Sequence, residues 1–393
     1  MMGLLRFPVL ACAMALLLAG MMAGLARLDW PVPLMAAPER ASLHGGLMIS
    51  GFLGTLISLE RAVGLGRLWA YAGPIVTAAG GIALLFGLPP EQALGLIFLG
   101  SLPLALVFIP YLVRQPNVHQ ALMTAGACLW VAGNALWWHG WPIYAVTPWW
   151  MGFLLLTIAG ERLELSRLLR LSMGAYAWLL GSLAMFVLGI LVKTYGQYGL
   201  AVLPSFGTQI LAWGEGLLGL GMFAVAAWLL HHDMARRTLR QGGLHGYVAT
   251  ALLSGYIWLA VAGVIGMTAV ALPGGPGFLV AGPIYDAAIH AFTVGFVLGM
   301  ILGHGPLIFP AVLGIPITFR RLFYLPLFVL NAGLLLRLTG DLSGWRTAQI
   351  WGGTANVVAL LLFLLTMIGT VVGGVTQSII RPRMSHIRRC ENR

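Results

Sequence analysis

The sequence predicts an all-α polytopic membrane bundle of about twelve transmembrane helices, and three observations carry that expectation. Hydrophobic residues make up 60% of the 393 positions and charged residues only 8%, against roughly a quarter charged in an ordinary soluble domain. Apolar stretches of the ~20 residues needed to cross a ~30 Å hydrocarbon core recur along the whole chain. The basic residues fall in alternate connections between those stretches, as the positive-inside rule requires of a multi-pass protein.

Taken in order, the expected spans are 7–27, 43–59, 68–88, 92–113, 119–138, 143–160, 173–192, 207–230, 245–271, 284–304, 322–339 and 350–373. The segments between them are too short for a soluble domain, so 1–393 reads as one integral membrane domain. Arg6 ahead of the first apolar run also suits a cleaved signal peptide, but a run of about 20 residues exceeds an ordinary h-region. The expectation is a retained span, with cleavage as the alternative.

Placing the N-terminus in the cytoplasm puts 17 of the 22 Lys and Arg residues on that side, leaving Arg27, Arg40, Lys193, Arg337 and Arg346 outside. Both termini are therefore expected to be cytoplasmic, in a bacterial inner membrane. Orientation accounts for the formal charge of +11, so the expected partner is the lipid bilayer and not nucleic acid. Cys12, Cys128 and Cys390 are too few and scattered for a disulfide framework or zinc cluster. No Walker loop, dinucleotide fingerprint, HExxH or nucleophile elbow is present. Secreted scaffolds, soluble enzymes and DNA binders are excluded.

Span two ends in Glu60-Arg61 and span six in Glu161-Arg162, four helices later. His119 and His245 open spans five and nine, again four helices apart. This periodicity points to three pseudo-symmetric four-helix arcs with spans two, six and ten inside. Glu-Arg at a helix exit is equally consistent with a solvated end. Trp138, Trp141, Trp149 and Trp150 suit either an interfacial belt or packing.

Ionisable residues within a span are costly and mark candidate sites. Near the outer end these are His44, Asp286, His290 and Glu215; near the inner end, His119, His245 and His304. His139, His231, His232 and His386 read as solvated, and Asn134, Asn331 and Asn356 as interhelical hydrogen-bonders. His44 and His290 stand at comparable depth on different helices, which suits axial ligation of a haem iron, with interhelical hydrogen bonding as the alternative. Asp286 precedes His290 by four residues and shares its helix face, where its carboxylate could fix the imidazole tautomer. Arg40, Arg337 and Arg346 lie where haem propionates would need cations.

His290 and His304 share a face about 21 Å apart, but no second helix repeats that spacing. His119, His245 and His304 could hold copper, although packing or a proton path explains them as well. Glu215, between small residues, reads as either a proton carrier or a buried hydrogen-bonder.

The segment His290-Ala-Phe-Thr-Val-Gly-Phe-Val-Leu-Gly-Met-Ile-Leu-Gly-His304-Gly resembles one of the NnrS family, haem- and copper-containing membrane proteins associated with the nitric-oxide response. His44-Gly-Gly-Leu-Met-Ile-Ser-Gly-Phe-Leu-Gly-Thr is similar to that family's early histidine helix. More widely, the chain resembles subunit I of the haem-copper oxidases, twelve helices in three arcs. The motifs cover about 40 residues, while the helix count covers the chain.

The resemblance implies His44 and His290 as haem ligands of helices two and ten, and loosely implies propionate roles for Arg337 and Arg346. It implies a b-type haem, copper as a further metal, and nitric oxide or another small gas as a partner. Spans six and seven lack histidine, and span two has one histidine where the NnrS pattern has two. These departures argue against a binuclear oxygen-reducing centre. The expectation is thus a haem-binding membrane protein linked to nitric oxide or respiratory redox chemistry. The alternatives are a permease or a copper-handling accessory protein without haem.

Overall fold

A computed structural model of the chain describes residues 2–35, 37–114, 116–166, 170–271, 282–313 and 319–390, with side chains described for most of them up to Thr370. Arg167 and Arg393, two of the residues that orient the chain, lie outside these, as do the side chains of His386 and Cys390. Among the described residues every regular element is helical. The principal helices are α1 Met2–Arg27, α2 His44–Leu65, α3 Leu68–Leu85, α4 Pro90–Arg114, α5 Val118–Trp138 and α6 Ile143–Ser166. They continue as α7 Met173–Val202, α8 Pro204–His232, α9 Gly243–Ala271, α10 Pro283–Phe309, α11 Arg321–Ser343 and α12 Arg346–Cys390.

Eleven of these are long and apolar enough to cross a membrane, and the chain is a multi-pass membrane protein. Helix α5 has the length, 21 residues, or about 31 Å at 1.5 Å per residue, but less apolarity. The residues that dilute it are buried: His119 and Asn134 are 4% and 1% exposed.

Consecutive helices pack on one another, and α1 lies against α2 and α3 while also touching α10 and α12. Helices α2, α6 and α10 are the inner ones. The shares of their most apolar stretch that are buried are 67%, 78% and 61%, above those of every other candidate span. The expected inner position of spans two, six and ten is met. The expected interhelical asparagines are met too. Asn134 accepts from Ser50 of α2 at 2.7 Å and Trp150 of α6 at 3.0 Å; Asn331 accepts from Trp258 at 2.7 Å; Asn356 donates to the Leu330 carbonyl at 2.9 Å. Trp150 is wholly buried and Trp149 donates to Thr194, so these two tryptophans serve packing.

Helix α7 corrects one expectation. It runs ten residues past 192, to Val202, because its Gly/Ala/Leu-rich sequence meets no breaker before Leu203-Pro204, where Leu203 is extended ahead of the proline. Lys193 therefore lies within the helix, 2% exposed, and not on the outer surface.

Candidate functional site

The two histidine-bearing helices share an irregularity. In α2 the residues Leu47–Leu53, and in α10 the residues Ala291–Leu298, widen to i→i+5 hydrogen bonding just after His44 and His290. Such turns are rare and recur at functional sites. The glycine-containing sequences Ser50-Gly51 and Val294-Gly295 fall inside them.

His44 and His290 meet across the α2–α10 boundary with ring centroids 6.3 Å apart and planes within 11° of parallel. That separation is too great for face-to-face contact. An imidazole nitrogen lies about 1.1 Å from its ring centre and ~2.0–2.1 Å from a ligated metal, so one metal between two imidazoles holds their centres about 6.3 Å apart. The distance fits a single bridging ion.

The remaining ring nitrogens are held by the backbone. His44 Nδ1 is 2.8 Å from the Gly20 carbonyl of α1, and His290 Nδ1 is 2.7 Å from the Asp286 carbonyl. A carbonyl oxygen only accepts, so each Nδ1 carries the proton, and the neutral ring then presents Nε2 as a bare lone pair. This is the ligand tautomer, oriented by a hydrogen bond on the far nitrogen.

Close approach of α1 makes the first of those bonds. A Cβ on Gly24 would lie 2.9 Å from both Nδ1 and Cε1 of His44, so only glycine leaves the ring where it is. Gly20-Met-Met-Ala-Gly24 is a small-xxx-small spacing, a signal legible in the sequence.

Asp286 plays a different part from the expected one. Its backbone carbonyl, not its carboxylate, takes the shorter bond from His290; Oδ1 lies 3.5 Å from Nδ1. Oδ2 takes the Arg337 guanidinium at 2.5 Å, and Arg337 Nε lies 3.7 Å from Asp341. Arg337 is thus beside the histidine pair as expected, 11% exposed and already matched by Asp286. Arg27, at the end of α1, is within electrostatic range of both His44 and Asp286 and was not among the expected site residues.

The other two expected arginines have partners of their own. Arg40 is exposed and donates to the Leu34 carbonyl at 3.1 Å. Arg346 is 47% exposed and pairs with Asp29 at 2.5 Å.

The inner histidines do not assemble. His304 Nδ1 lies 2.8 Å from the Met300 carbonyl and Nε2 lies 2.9 Å from an Arg162 nitrogen, so both nitrogens are engaged. His119 sits 3.9 Å from Glu164, and His245 is exposed at the start of α9. Among the described residues no cluster of three or more His, Cys, Asp or Glu is placed to hold a metal. His304 and His119 are drawn to different partners.

Those partners bind the inner helices to one another. Arg61 of α2 pairs with Glu161 of α6, and Arg162 of α6 bonds His304 of α10. The Glu-Arg ends are therefore not merely solvated: Arg162 is 5% exposed. Near Arg162, in the α8–α9 connection, Asp233 accepts the Ala235 N–H at 2.7 Å, and burial pushes its carboxyl above the usual range.

Lys193 of α7 pairs with Glu215 of α8, and both line a small cavity of about 40 Å³ that Tyr285 and Ile289 of α10 also border. Lys193 Nζ is 5.8 Å from the Tyr285 ring centroid. Glu215 is thus an ion-paired carboxylate, which its sequence surroundings did not reveal.

Comparison with curated proteins finds no match to the chain. A family model does match it, over residues 6–372, that is, through every principal helix from α1 to the membrane-crossing part of α12. The chain belongs to the family described as Domain of unknown function (DUF8744).

Proposed function

We propose that this protein is a haem-binding, multi-pass protein of the bacterial inner membrane, with both termini cytoplasmic and with His44 and His290 as the residues that would hold the haem. One observation carries the reading: two near-parallel imidazoles 6.3 Å apart on the helices α2 and α10, each with Nδ1 held by a backbone carbonyl. The NnrS resemblance adds a b-type haem and a link to nitric oxide or respiratory redox chemistry.

A haem held there supplies one-electron redox chemistry. The chain's own residues do the positioning. Gly20 and Asp286 carbonyls fix the tautomers, and the glycine at 24 admits the His44 ring. Arg337, paired with Asp286, sets the local charge beside His290, with Arg27 contributing from the end of α1. His44 and His290 would both hold the haem, which would suit it to electron transfer.

The test is the absorption spectrum of the purified protein. A Soret band that is lost in both His44→Ala and His290→Ala supports the reading, and a folded but colourless protein overturns it. A permease is the second reading, favoured by the Lys193–Glu215 pair buried beside a cavity among five helices.

A further inference from the structure

The connections that lead into α9 and α11 converge at the end of the bundle away from the histidine pair. Gly242 and Gly243, with φ of 68° and 56°, turn the chain from Leu239-Arg240-Gln241 into α9. One turn further on, a Cβ on Gly246 would lie 3.4 Å from the Leu239 carbonyl oxygen and 3.8 Å from the Tyr324 hydroxyl of α11. Tyr247 packs its ring against Phe319, Phe323 and Tyr324, with centroids 5.6, 5.7 and 5.2 Å away. These contacts gather Arg236, Arg237 and Arg240 of one connection and Arg320 and Arg321 of the other at one corner, all of them exposed.

The carboxylates described at this end face other groups. Glu161 takes Arg61, Glu60 lies 3.8 Å from that same guanidinium, and Glu164 lies 3.9 Å from His119. Asp233, the nearest in sequence, is 4% exposed, and the cation acting on it is Arg162. Among the described residues none of the five corner arginines forms an ion pair. His245, exposed at the start of α9, adds no negative charge. Membrane orientation requires arginines on one side, but it does not require two distant connections to pool them. Apolar side chains interleave with them: Leu239, Leu322 and Leu325 are 44%, 53% and 46% exposed.

We propose that this corner binds an anionic phospholipid, its phosphate held by arginines of both connections and its acyl chains lying against the leucines. The planar guanidinium fork matches phosphate oxygens in pairs. An acidic peptide would answer the charge and leave the leucines uncovered, whereas a neutral lipid would cover the leucines and leave five cations without a counterion. An anionic lipid does both, and the membrane supplies it at the level where these helices begin. The site does not involve His44 or His290.

The experiment titrates the full-length, detergent-solubilised protein with phosphatidylglycerol and with phosphatidylcholine of the same chain length, and reads each bound lipid by native mass spectrometry. A first phosphatidylglycerol is expected to bind more tightly than any phosphatidylcholine. Arg240→Gln and Arg321→Gln should each weaken that first step about fivefold, the usual yield of one arginine at an anionic lipid surface. The double variant Arg67→Gln/Arg114→Gln removes two exposed arginines from other connections at the same end and should leave it unchanged. Equal binding of the two lipids overturns the proposal, as does an unchanged first step in either single variant or equal weakening in the double variant. Displacement of the lipid by glycerol phosphate or by a polyglutamate peptide also overturns it, because the corner would then read charge alone. All four arginines are exposed, and helical circular dichroism checks that each variant is folded. A folded, colourless protein that still binds phosphatidylglycerol in this way would refute the haem reading and leave this one standing.

Discussion

The imidazoles of His44 and His290 are set by groups that are not themselves ligands. Gly24 gives the clearest test, because a side chain there must displace the His44 ring from 2.9 Å. Gly24→Val is expected to diminish the Soret band while the helical circular dichroism stays unchanged; a variant with full haem content would show that α1 does not position the ligand. Asp286→Asn probes the other helix. It leaves the backbone carbonyl that holds His290 in place but removes the anion facing Arg337, which is 11% exposed. A buried pair broken on one side costs about 3–5 kcal/mol when fully desolvated, and partial exposure reduces that. If haem binds as proposed, the expected result is a protein that melts earlier and shows its haem band shifted in position or potential. Complete loss of haem from Asp286→Asn would mean that the carboxylate, and not the carbonyl, is the essential partner.

Between helices, the Arg61–Glu161 contact joins the inner helices α2 and α6. Its side chains are 20% and 31% exposed, so each charge reversal, Arg61→Glu or Glu161→Arg, should destabilise by about 1–3 kcal/mol. The double reversal should recover most of that loss in a thermal melt, and strict additivity would deny the coupling. Packing between α2 and α5 depends instead on Gly54, whose added Cβ would overlap the Trp130 ring. Gly54→Leu overfills a wholly buried contact and should cost roughly 1–3 kcal/mol, read as earlier aggregation on heating. These contacts explain why the Glu-Arg repeat was legible in the sequence while its meaning was not. The four-helix offset is a property of the chain, but which arginine reaches which carboxylate depends on how the helices pack.

For the whole molecule, the number of crossings decides where the ends lie. Eleven helices have the length and apolarity to cross, and α5 has the length alone. If α5 crosses with its buried His119 and Asn134 satisfied by neighbours, twelve passes put both termini on the cytoplasmic face. Terminal tags in oriented membrane vesicles should then be protected or cleaved together. Opposite accessibility of the two tags would place α5 outside the count and refute the shared orientation.

Composition and periodicity alone determined that the chain is a helical membrane bundle, because a hydrocarbon core tolerates only apolar surface and internally satisfied backbone. They also gave the approximate spans, the inner position of α2, α6 and α10, and the shared depth of His44 and His290, since each follows from counting residues along helices of fixed rise. Tertiary structure decided the rest. It brought the two rings to 6.3 Å and chose Gly20 and Asp286 carbonyls to hold them. It also separated His119, His245 and His304, and it drew Lys193 inward to Glu215. Those outcomes depend on which faces of distant helices meet, and so on the summed packing of the bundle. A residue's depth is local arithmetic, whereas its partner is set by the closure of the whole fold.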